Sequence, residues 1–266
     1  MPTTFVVGDV HGHVEPLVAL LREAGLVDER LAWVGADARL WFIGDLVDRG
    51  PDGVGVIELV MRLQREGDVR CLLGNHEATL VSALRFSDLE CVPGVTFRMV
   101  WEANGGMATD LTGLRPDHVA WIERLPAAAR EGDWLLVHSD TDLYLDYGRS
   151  IESICRSISA ILAGADSLAL GELLDALADR GAFVDPERLE RLLGVLGCDR
   201  VVHGHTPIWY AAGKDPSEVT APFAYAGGRA LNVDHCLFAG GPGFIAELDL
   251  SAQERKSASA DFRTEL

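Results

Sequence analysis

The sequence predicts an α/β protein whose first β-sheet is largely parallel, and three observations support this prediction. Short apolar runs rich in β-branched and aromatic residues alternate along the chain with segments of helical periodicity. Glycine-rich clusters of polar residues follow several of these runs. The 266 residues are 48% hydrophobic, which is ample for a packed core and excludes global disorder.

The first third of the chain carries the clearest alternation of strand and helix. The run from Thr4 to Val7 is apolar and ends at a glycine, as a buried strand does. It is followed by leucines at helical spacing and by Gly25, a typical helix stop. The same pair of patterns then repeats. Strands are predicted over residues 4–7, 40–43 and 69–72, and helices over 14–24, 53–66 and 77–84.

A long helical stretch lies between two further predicted strands, at residues 134–137 and 200–202. Its apolar residues fall on one face in each of three segments, and Asp185 followed by Pro186 is a strong helix start. Such faces usually pack on the core, which is the favoured interpretation; a lid or a dimer surface is the alternative. We treat residues 145–198 as a helical insert.

The last part of the chain predicts the closing strands of a second sheet. Residues 210–229 are rich in Gly, Pro and Ala and are predicted to form a loop. Residues 1–250 are expected to form a single domain that includes the insert, and 251–266 a polar C-terminal tail. The closing strands are predicted over 230–233, 237–239 and 244–248.

The charge balance excludes two classes of partner. Forty-one acidic and 23 basic residues give a net charge of −18, which opposes binding to nucleic acid through a basic face and docking on anionic membranes. No apolar run approaches the roughly 18 residues that span a bilayer. Small phosphorylated substrates are not excluded, because bound metal ions can reverse the local field.

Cysteine usage predicts a reducing compartment. The five cysteines are odd in number and include no Cys-x-x-Cys pair, so they are interpreted as buried thiols. The N-terminus lacks a basic segment followed by a long apolar one, which a signal peptide requires. We therefore expect a cytoplasmic protein.

Five sites of polar residues follow predicted strands, and ligands in open α/β folds bind at the carboxyl ends of strands. His, Asp and Asn side chains suit Mn²⁺, Fe or Zn²⁺, and one carboxylate such as Asp45 can bridge two ions. Each cluster alone is also compatible with a turn or a core histidine, whereas their joint occurrence favours a two-metal centre. The sites are Gly-Asp-Val-His-Gly at 8–12, Gly-Asp-Leu-Val-Asp-Arg-Gly at 44–50, Gly-Asn-His-Glu at 74–77, His138, and His-Gly-His-Thr at 203–206.

These motifs resemble the metal-dependent phosphoesterases of the calcineurin-like superfamily. More narrowly, they are similar to the bacterial branch of the phosphoprotein-phosphatase (PPP) family, which includes diadenosine tetraphosphate hydrolases. The resemblance implies two mixed β-sheets packed face to face and flanked by helices, and it covers most of the chain outside the insert. It rests on residues 9–12, 44–50, 74–77, 104–109, 203–207 and 232–234.

The resemblance also implies roles for individual residues. His76 is the expected general acid, oriented by Asp48, and Arg49 is expected to bind phosphate oxygens together with Asn75. His203 matches no ligand position and is expected to be structural. The expected metal ligands are Asp9 and His11 for the first ion, Asp45 as the bridge, and Asn75, His138 and His205 for the second ion.

Some substrate-facing positions depart from the family pattern. Leu73 stands where many protein phosphatases carry a phosphate-binding arginine, and only Arg149 and Arg156 are candidates for a second one. Asp140 follows two residues after His138, where the family usually has glycine or alanine. On an extended segment it would face the metals; alternatively, it is an exposed loop aspartate.

The implied reaction is hydrolysis of a phosphoester or phosphoanhydride by a hydroxide that bridges two divalent metal ions. Manganese is the first candidate, with iron or zinc as alternatives. The implied substrate is a phosphoserine or phosphothreonine protein, or a nucleotide such as a dinucleoside polyphosphate. A catalytically silent metal-binding interaction module is the alternative, which retention of His76, Asp48 and Arg49 disfavours. The oligomeric state is left open.

Overall fold

The computed structural model describes residues 2–250, so Met1 and the predicted polar tail at 251–266 lie outside the described residues. The strands are β1 (Thr4–Val7), β2 (Arg39–Phe42), β3 (Asp68–Cys71), β4 (Glu90–Val92), β5 (Val95–Thr96), β6 (Ala128–Glu131), β7 (Trp134–Val137), β8 (Arg200–His203), β9 (Phe223–Tyr225), β10 (Ala230–Asn232) and β11 (Ala246–Leu248). The helices are α1 (Val14–Glu23), α2 (Gly53–Glu66), α3 (Asn75–Phe86), α4 (Phe97–Ala103), α5 (Ala108–Gly113), α6 (Pro116–Ile122), α7 (Ile151–Ala163), α8 (Ser167–Ala178), α9 (Pro186–Leu196) and α10 (Ile208–Ala212).

Two mixed β-sheets form the centre of the fold. The first has the order β11-β1-β2-β3, with β1, β2 and β3 parallel and β11 antiparallel to β1. The second has the order β6-β7-β8-β10-β9, with β7, β8 and β10 parallel and the two outer strands antiparallel. The parallel strands end in the loops that carry the predicted site residues. A separate hairpin pairs β4 with β5.

The two sheets pack face to face through alternate residues of their strands. Val6 and Trp41 of the first sheet share a buried apolar cluster with Leu136 and Val202 of the second. Their neighbours, such as Val7, point to the opposite face and join the cluster formed with the helices. This alternation follows from the two-residue period of a β-strand. The fold class predicted from the sequence is therefore confirmed.

The helical insert packs on the core. Ile158 of α7, Leu173 of α8 and Leu192 of α9 are fully buried, and they belong to the same apolar cluster as Leu135 of β7. The favoured interpretation of the apolar faces is therefore confirmed. The carboxyl end of α8 also approaches the predicted site, because Ala178 O lies 3.3 Å from His205 Nε2. Among residues 2–250, no helix combines the length and the apolar character needed to cross a membrane.

Most strand and helix predictions agree with the structure to within a few residues, but the C-terminal part required three corrections. Residues 237–239 form a single 3₁₀ turn instead of a strand, because Cys236 before it and Gly240 after it adopt left-handed backbone conformations. The last strand is shorter than predicted and completes the first sheet, not the second. The segment 210–229 contains the end of α10 and all of β9.

Candidate active site

The loops after β1, β2, β3, β7 and β8 bring all six predicted metal ligands into one buried region. Each of these side chains has at most 5% of its surface exposed. They come from both sheets, so the site lies at the common edge where the parallel strands end. The residues are Asp9, His11, Asp45, Asn75, His138 and His205.

Asp45 lies between two groups of potential metal ligands. The first group is His11, Asp45 and His76, and the second is Asp45, His138 and His205; within each, the ligand atoms lie within 4.8 Å of one another. One carboxylate oxygen faces the second group, with Oδ1 3.2 Å from His138 Nε2. The other faces the first, with Oδ2 3.7 Å from His11 Nε2. This divided geometry suits a bridging carboxylate.

The second group presents several lone pairs to one another. His138 Nδ1 lies 3.0 Å from the carbonyl oxygen of Ile43, which places its proton on Nδ1 and leaves Nε2 as an acceptor. That Nε2 lies 2.9 Å from Asn75 Oδ1. His205 Nδ1 lies 2.9 Å from the same amide oxygen, while its Nε2 faces the carbonyl of Ala178. Lone pairs converging in this way require a cation or an added proton between them.

In the first group, as in the second, a histidine directs its Nδ1 to a backbone carbonyl. His11 Nδ1 lies 2.9 Å from the carbonyl oxygen of Val47, so its Nε2 is free to face the carboxylates. Asp9 Oδ2 lies 4.0 Å from His11 Nε2. Its oxygens also accept the backbone N–H of His205 at 3.2 and 3.1 Å. Asp9 therefore joins the loop after β1 to the loop after β8.

His76 is held by a carboxylate, as the sequence predicted. Its Nδ1 lies 2.8 Å from Asp48 Oδ2, and its Nε2 faces the first group at 3.9 Å from Asp45 Oδ2. Asp48 is itself fixed, because its Oδ1 accepts the indole N–H of Trp101 at 2.8 Å. Asp110 on α5 accepts the backbone N–H of Asp48, also at 2.8 Å. The imidazole orientation is therefore set by a buried chain of hydrogen bonds.

Arg49 contacts both histidines of the first group. Its Nη1 donates to His11 Nε2 at 2.9 Å, and its Nη2 donates to His76 Nε2 at 3.0 Å. The guanidinium carbon lies 4.6 Å from the ring centre of Phe238, a cation–π contact. Gly105 O accepts the backbone N–H of Arg49, which explains part of the Asn-Gly-Gly stretch singled out in the sequence.

The site loops adopt a backbone conformation that side-chain-bearing residues rarely take. His11, Asp45, Asp48, Arg49 and His205 all have positive φ angles between 46° and 67°. Such residues cost free energy and cluster at functional sites, where the surrounding structure holds them in place.

The glycines beside the ligands are required by close approach. A Cβ at position 74 would lie 2.3 Å from the backbone nitrogen of Asp45, and one at position 204 would lie 2.1 Å from Asp9 Oδ1. Glu77 holds the same loop: its carboxylate accepts the N–H groups of Asp45 at 2.9 Å and Leu46 at 2.7 Å. Burial and the charge of Asp45 raise the pKa of Glu77 to about 7.

The electrostatics of the second group favour a cation. Burial acts to raise the pKa of Asp45, but the charges of His138 and His76 outweigh it and hold that pKa well below its usual range. Burial likewise acts to lower the pKa of His138, yet the charge of Asp45 and the hydrogen bond to it raise the pKa to about 9. Burial and the charge of His138 lower the pKa of His205 to about 3. Asp45 thus stays anionic and needs positive charge beside it.

These observations fit divalent metal ions. The donors are imidazole nitrogens and carboxylate or amide oxygens, with no thiolate, which suits Mn²⁺, Fe or Zn²⁺. The histidines direct their second nitrogen to backbone carbonyls, as metal-bound histidines commonly do. The described residues therefore include His and Asp clusters able to bind metal.

Asp140 is buried, so its interpretation as an exposed loop aspartate was wrong, and both of its carboxylate oxygens accept hydrogen bonds from residues outside the two ligand groups. The residue is 3% exposed, and its Oδ1 accepts the hydroxyl of Thr206 at 2.6 Å. Its Oδ2 accepts the backbone N–H of Gly181 at 2.8 Å. Burial acts to raise its pKa, but the charge of His203 and the Thr206 hydrogen bond outweigh it and lower the pKa. Asp140 thus joins the loop after β8 to the insert.

The two candidates for a second phosphate-binding arginine do not lie at the site. Arg156 pairs with Glu152 on the exposed face of α7, and Arg149 is exposed beside the start of that helix. Arg180, which the sequence analysis missed, follows α8, and its charge helps to lower the pKa of His205. The guanidinium of Arg180 forms no ion pair with any of residues 2–250.

His203 lies outside both ligand groups, as expected: its Nε2 lies 2.8 Å from the hydroxyl of Tyr225. Besides Arg180, the sequence analysis missed Phe238 and Asp110. Phe238 was assigned to a strand, and nothing in the sequence near Asp110 indicated its contact with Asp48. Glu77 was also given no role, although it lies within the recognised Gly-Asn-His-Glu motif.

Comparisons with known proteins agree with this geometry. The family model described as calcineurin-like phosphoesterase matches residues 2–209. Serine/threonine-protein phosphatase 1 of Salmonella typhimurium is 29% identical over 206 residues, covering 77% of this chain and 78% of that protein. Symmetrical bis(5'-nucleosyl)-tetraphosphatase of Pectobacterium carotovorum is 30% identical over 186 residues, covering 66% of this chain and 55% of that protein. This chain thus matches about half the length of that tetraphosphatase.

Solved structures show the same fold. The cold-active protein-tyrosine phosphatase of a psychrophilic Shewanella species superposes with a TM-score of 0.71 and 18% identity, covering 94% of this chain and 76% of that one. A protein serine/threonine phosphatase from Saccharomyces cerevisiae gives a TM-score of 0.53 and 16% identity, covering 87% of this chain and 66% of that one. Because the family model spans most of the chain, this protein belongs to the calcineurin-like phosphoesterases, metal-dependent enzymes that hydrolyse phosphoester bonds.

Proposed function

We propose that this enzyme hydrolyses phosphoesters or phosphoanhydrides with two divalent metal ions, one in each ligand group. The observation that carries the proposal is the position of Asp45, whose two oxygens face different groups of ligands. Asp9 and His11 complete the first site, and Asn75 and the two histidines of the second group complete the second. Manganese is the first candidate, with iron or zinc as alternatives.

Metal ions held by these residues would supply a hydroxide nucleophile and would neutralise charge on the phosphoryl group. The residues of the chain do the remaining work. Arg49 binds phosphate oxygens through its planar guanidinium, which lies between His11 and His76. Asn75 positions the substrate from the other side of Asp45. Arg180 supplies a second positive charge beside His205.

His76 is proposed to protonate the leaving oxygen. Its Nε2 faces the site while Asp48 accepts from Nδ1, an arrangement that keeps the imidazole oriented and stabilises its protonated form. The alternative role is that of a metal ligand, because His76 Nε2 also belongs to the first ligand group. The hydrogen bond to Asp48 favours the acid role.

A phosphoserine or phosphothreonine protein is the first candidate substrate. The relative matched over most of both chains is a serine/threonine-protein phosphatase, which supports this choice. A dinucleoside polyphosphate is the second candidate. It is favoured by Leu73 in place of an arginine and by the aromatic ring of Phe238, which offers a stacking surface near Arg49. We also propose a cytoplasmic location, in keeping with five free cysteines.

Hydrolysis of p-nitrophenyl phosphate by the metal-depleted enzyme, with and without added Mn²⁺, tests the reaction. We expect turnover that depends on Mn²⁺ and is removed by Asp45→Asn, while Asp37→Asn, an exposed carboxylate change, leaves it intact. No turnover with any of Mn²⁺, Fe²⁺ or Zn²⁺ would favour the silent interaction module. The ratio of kcat/KM for a phosphothreonine peptide to that for diadenosine tetraphosphate then ranks the two substrate classes.

A further inference from the structure

A cavity of about 500 Å³ opens on the side of the molecule formed by α1, α2 and α6. Its walls include apolar side chains from three parts of the chain: Val14 of α1, Leu31 of the following loop, and Leu59 and Met61 of α2. None of the residues assigned above to metal or phosphate binding contributes to these walls. The cavity is therefore a separate feature from the candidate active site.

A buried hydrogen-bond donor lines this cavity without a partner. His118 is fully buried, and its Nδ1 accepts the backbone N–H of Arg115 at 3.3 Å. Burial and the Arg115 charge lower the pKa of His118, so the ring is neutral near pH 7 and its proton lies on Nε2. Nε2 has no hydrogen-bond partner among the described residues; the carboxylate of Glu58, on the same wall, is 3.7 Å away. An unmade hydrogen bond of this kind is unfavourable.

Two arginines add further donors to the same wall. The buried Nε of Arg62 has no hydrogen-bond partner among residues 2–250, and Glu66 lies 3.8 Å from it. Arg65, one turn further along α2, is exposed and forms no ion pair within the part of the chain that the structure describes. The two side chains bring positive charge to the cavity in a protein whose net charge is −18.

The acids of the cavity wall are already paired. Glu58 and Asp117 both contact the guanidinium of Arg115, with Asp117 Oδ1 3.2 Å from its Nε. These groups leave the charges of Arg62 and Arg65 only partly compensated. The wall therefore combines positive charge and N–H donors that have no hydrogen-bond partner among the described residues with the apolar side chains of the same cavity. A cation would meet the arginines, and a neutral apolar molecule would leave the donors unpaired.

We propose that this cavity is a second binding site, specific for a small organic anion that carries one acidic group on an apolar body. The acidic group accepts from His118 Nε2 and interacts with Arg62 and Arg65. The apolar body rests on Leu31, Leu59 and neighbouring side chains. The site goes beyond the proposed hydrolase function and does not depend on it.

The test is a fluorescence titration of the metal-loaded enzyme with 8-anilinonaphthalene-1-sulfonate, an aromatic body with one sulfonate. We expect saturable binding that Arg65→Gln weakens about five- to tenfold, because one cationic partner is lost. Glu58→Gln removes a negative charge from the same wall and is expected to tighten binding by a similar factor. Both side chains are exposed, so neither change threatens folding. Arg156→Gln, an exposed arginine on α7, is the matched control and leaves binding unchanged.

The uncharged analogue N-phenyl-1-naphthylamine tests the requirement for an acidic group. We expect it to bind at least tenfold more weakly than the sulfonate. Equal affinity for both probes would overturn the proposal, since the donors would then have no role. The proposal is also overturned if the sulfonate fails to bind, or if Arg65→Gln and Arg156→Gln give the same affinity as the unsubstituted protein.

Discussion

The two halves of the candidate site differ in the groups that contact their histidines. In the second half, His138 and His205 direct a nitrogen to the carbonyls of Ile43 and Ala178, and their remaining nitrogens converge on Asn75. In the first half, His11 Nδ1 faces a backbone carbonyl and His76 Nδ1 faces Asp48, but the Nε2 atoms of both rings contact the guanidinium of Arg49. The second half is thus surrounded by backbone carbonyls and an amide, whereas the first contains a partly exposed arginine beside its histidines.

This difference indicates that the two halves have different roles in the reaction. A half-site whose ligands are fixed by backbone carbonyls is preorganised to retain a metal ion. A half-site that contains the phosphate-binding arginine and the proposed acid is placed to bind the substrate and to protonate its leaving group. We therefore expect substitutions around the second half to change metal affinity, and those around the first half to change turnover.

Asp45→Asn should affect both halves and have the largest effect. Loss of the shared negative charge removes the electrostatic reason for holding two cations, so we expect turnover of p-nitrophenyl phosphate to fall about 10⁴-fold, or more than 5 kcal/mol. Elemental analysis should show fewer than two ions per chain. Two tightly held ions with unchanged turnover in this variant would mean that Asp45 is not the bridge.

His76→Asn should lower turnover without removing metal. We expect a decrease of about 10²–10⁴-fold, the usual contribution of a general acid. The decrease should be larger for an alkyl phosphate than for p-nitrophenyl phosphate, whose leaving group needs little protonation. Metal content decides between the two roles of His76: loss of an ion from the variant would identify it as a ligand of the first half.

Asp140→Ala should weaken the second half selectively. Asp140 holds the hydroxyl of Thr206, which directly follows His205, so its removal loosens that ligand. We expect the affinity for the more tightly bound ion to fall about 10- to 100-fold, as for other outer partners of metal ligands. Thr206→Val breaks the same contact without changing charge and should act in the same direction. Calorimetric titration of the metal-depleted protein with Mn²⁺ measures both; equal weakening of the two binding steps would contradict a selective role.

Arg180→Ala should raise KM for phosphate esters about three- to tenfold and change kcat little. The reason is that Arg180 is placed to attract the substrate beside His205 but contacts no part of the proposed acid machinery. Arg156→Ala, which removes an arginine from the exposed face of α7, is the matched control. If both variants keep the KM of the unsubstituted enzyme, the insert contributes no charge to substrate binding.

His235→Leu should change stability and its pH dependence. His235 is fully buried with neither ring nitrogen bonded among the described residues, and burial lowers its pKa to about 3. Below the unfolded value near 6.5, the unfolded chain binds a proton that the folded chain lacks, so this histidine costs about 1.4 kcal/mol of stability per pH unit as pH falls toward 3. Urea unfolding should show the variant more stable by about 1–2 kcal/mol at pH 7, with a larger advantage at pH 5. A constant difference between the two pH values would contradict this explanation.

Local patterns predicted the fold and indicated the proposed ligands, because both depend on short segments. The helix over Gly53–Glu66 and the strand over Trp134–Val137 follow from apolar spacing alone. Each proposed ligand follows a buried strand, and all of them except His138 have glycine beside them. What could not be predicted depends on contacts between distant segments. The sequence did not show the bonds of Asp140 to Thr206 and Gly181. It also did not show that the charge of Arg180 lowers the pKa of His205, because the two residues lie in different segments of the chain.

The strand at the end of the described chain illustrates the same limit. Its apolar pattern indicated a strand, but the pattern does not say which sheet the strand joins. In the structure Ala246 pairs with Val6, in the first sheet. Similarly, the predicted strand at 237–239 was excluded by the left-handed backbone of Cys236, which lies outside the segment that carried the pattern.

We expect that turnover needs one metal ion in each half, and a stoichiometric activation measurement tests this requirement. Metal-depleted enzyme is titrated with Mn²⁺ while bound metal and hydrolysis of p-nitrophenyl phosphate are followed together. We expect two ions per chain, with little activity after the first equivalent and a rise to the plateau during the second. Full activity with one ion per chain, or activity that persists without metal, would contradict it.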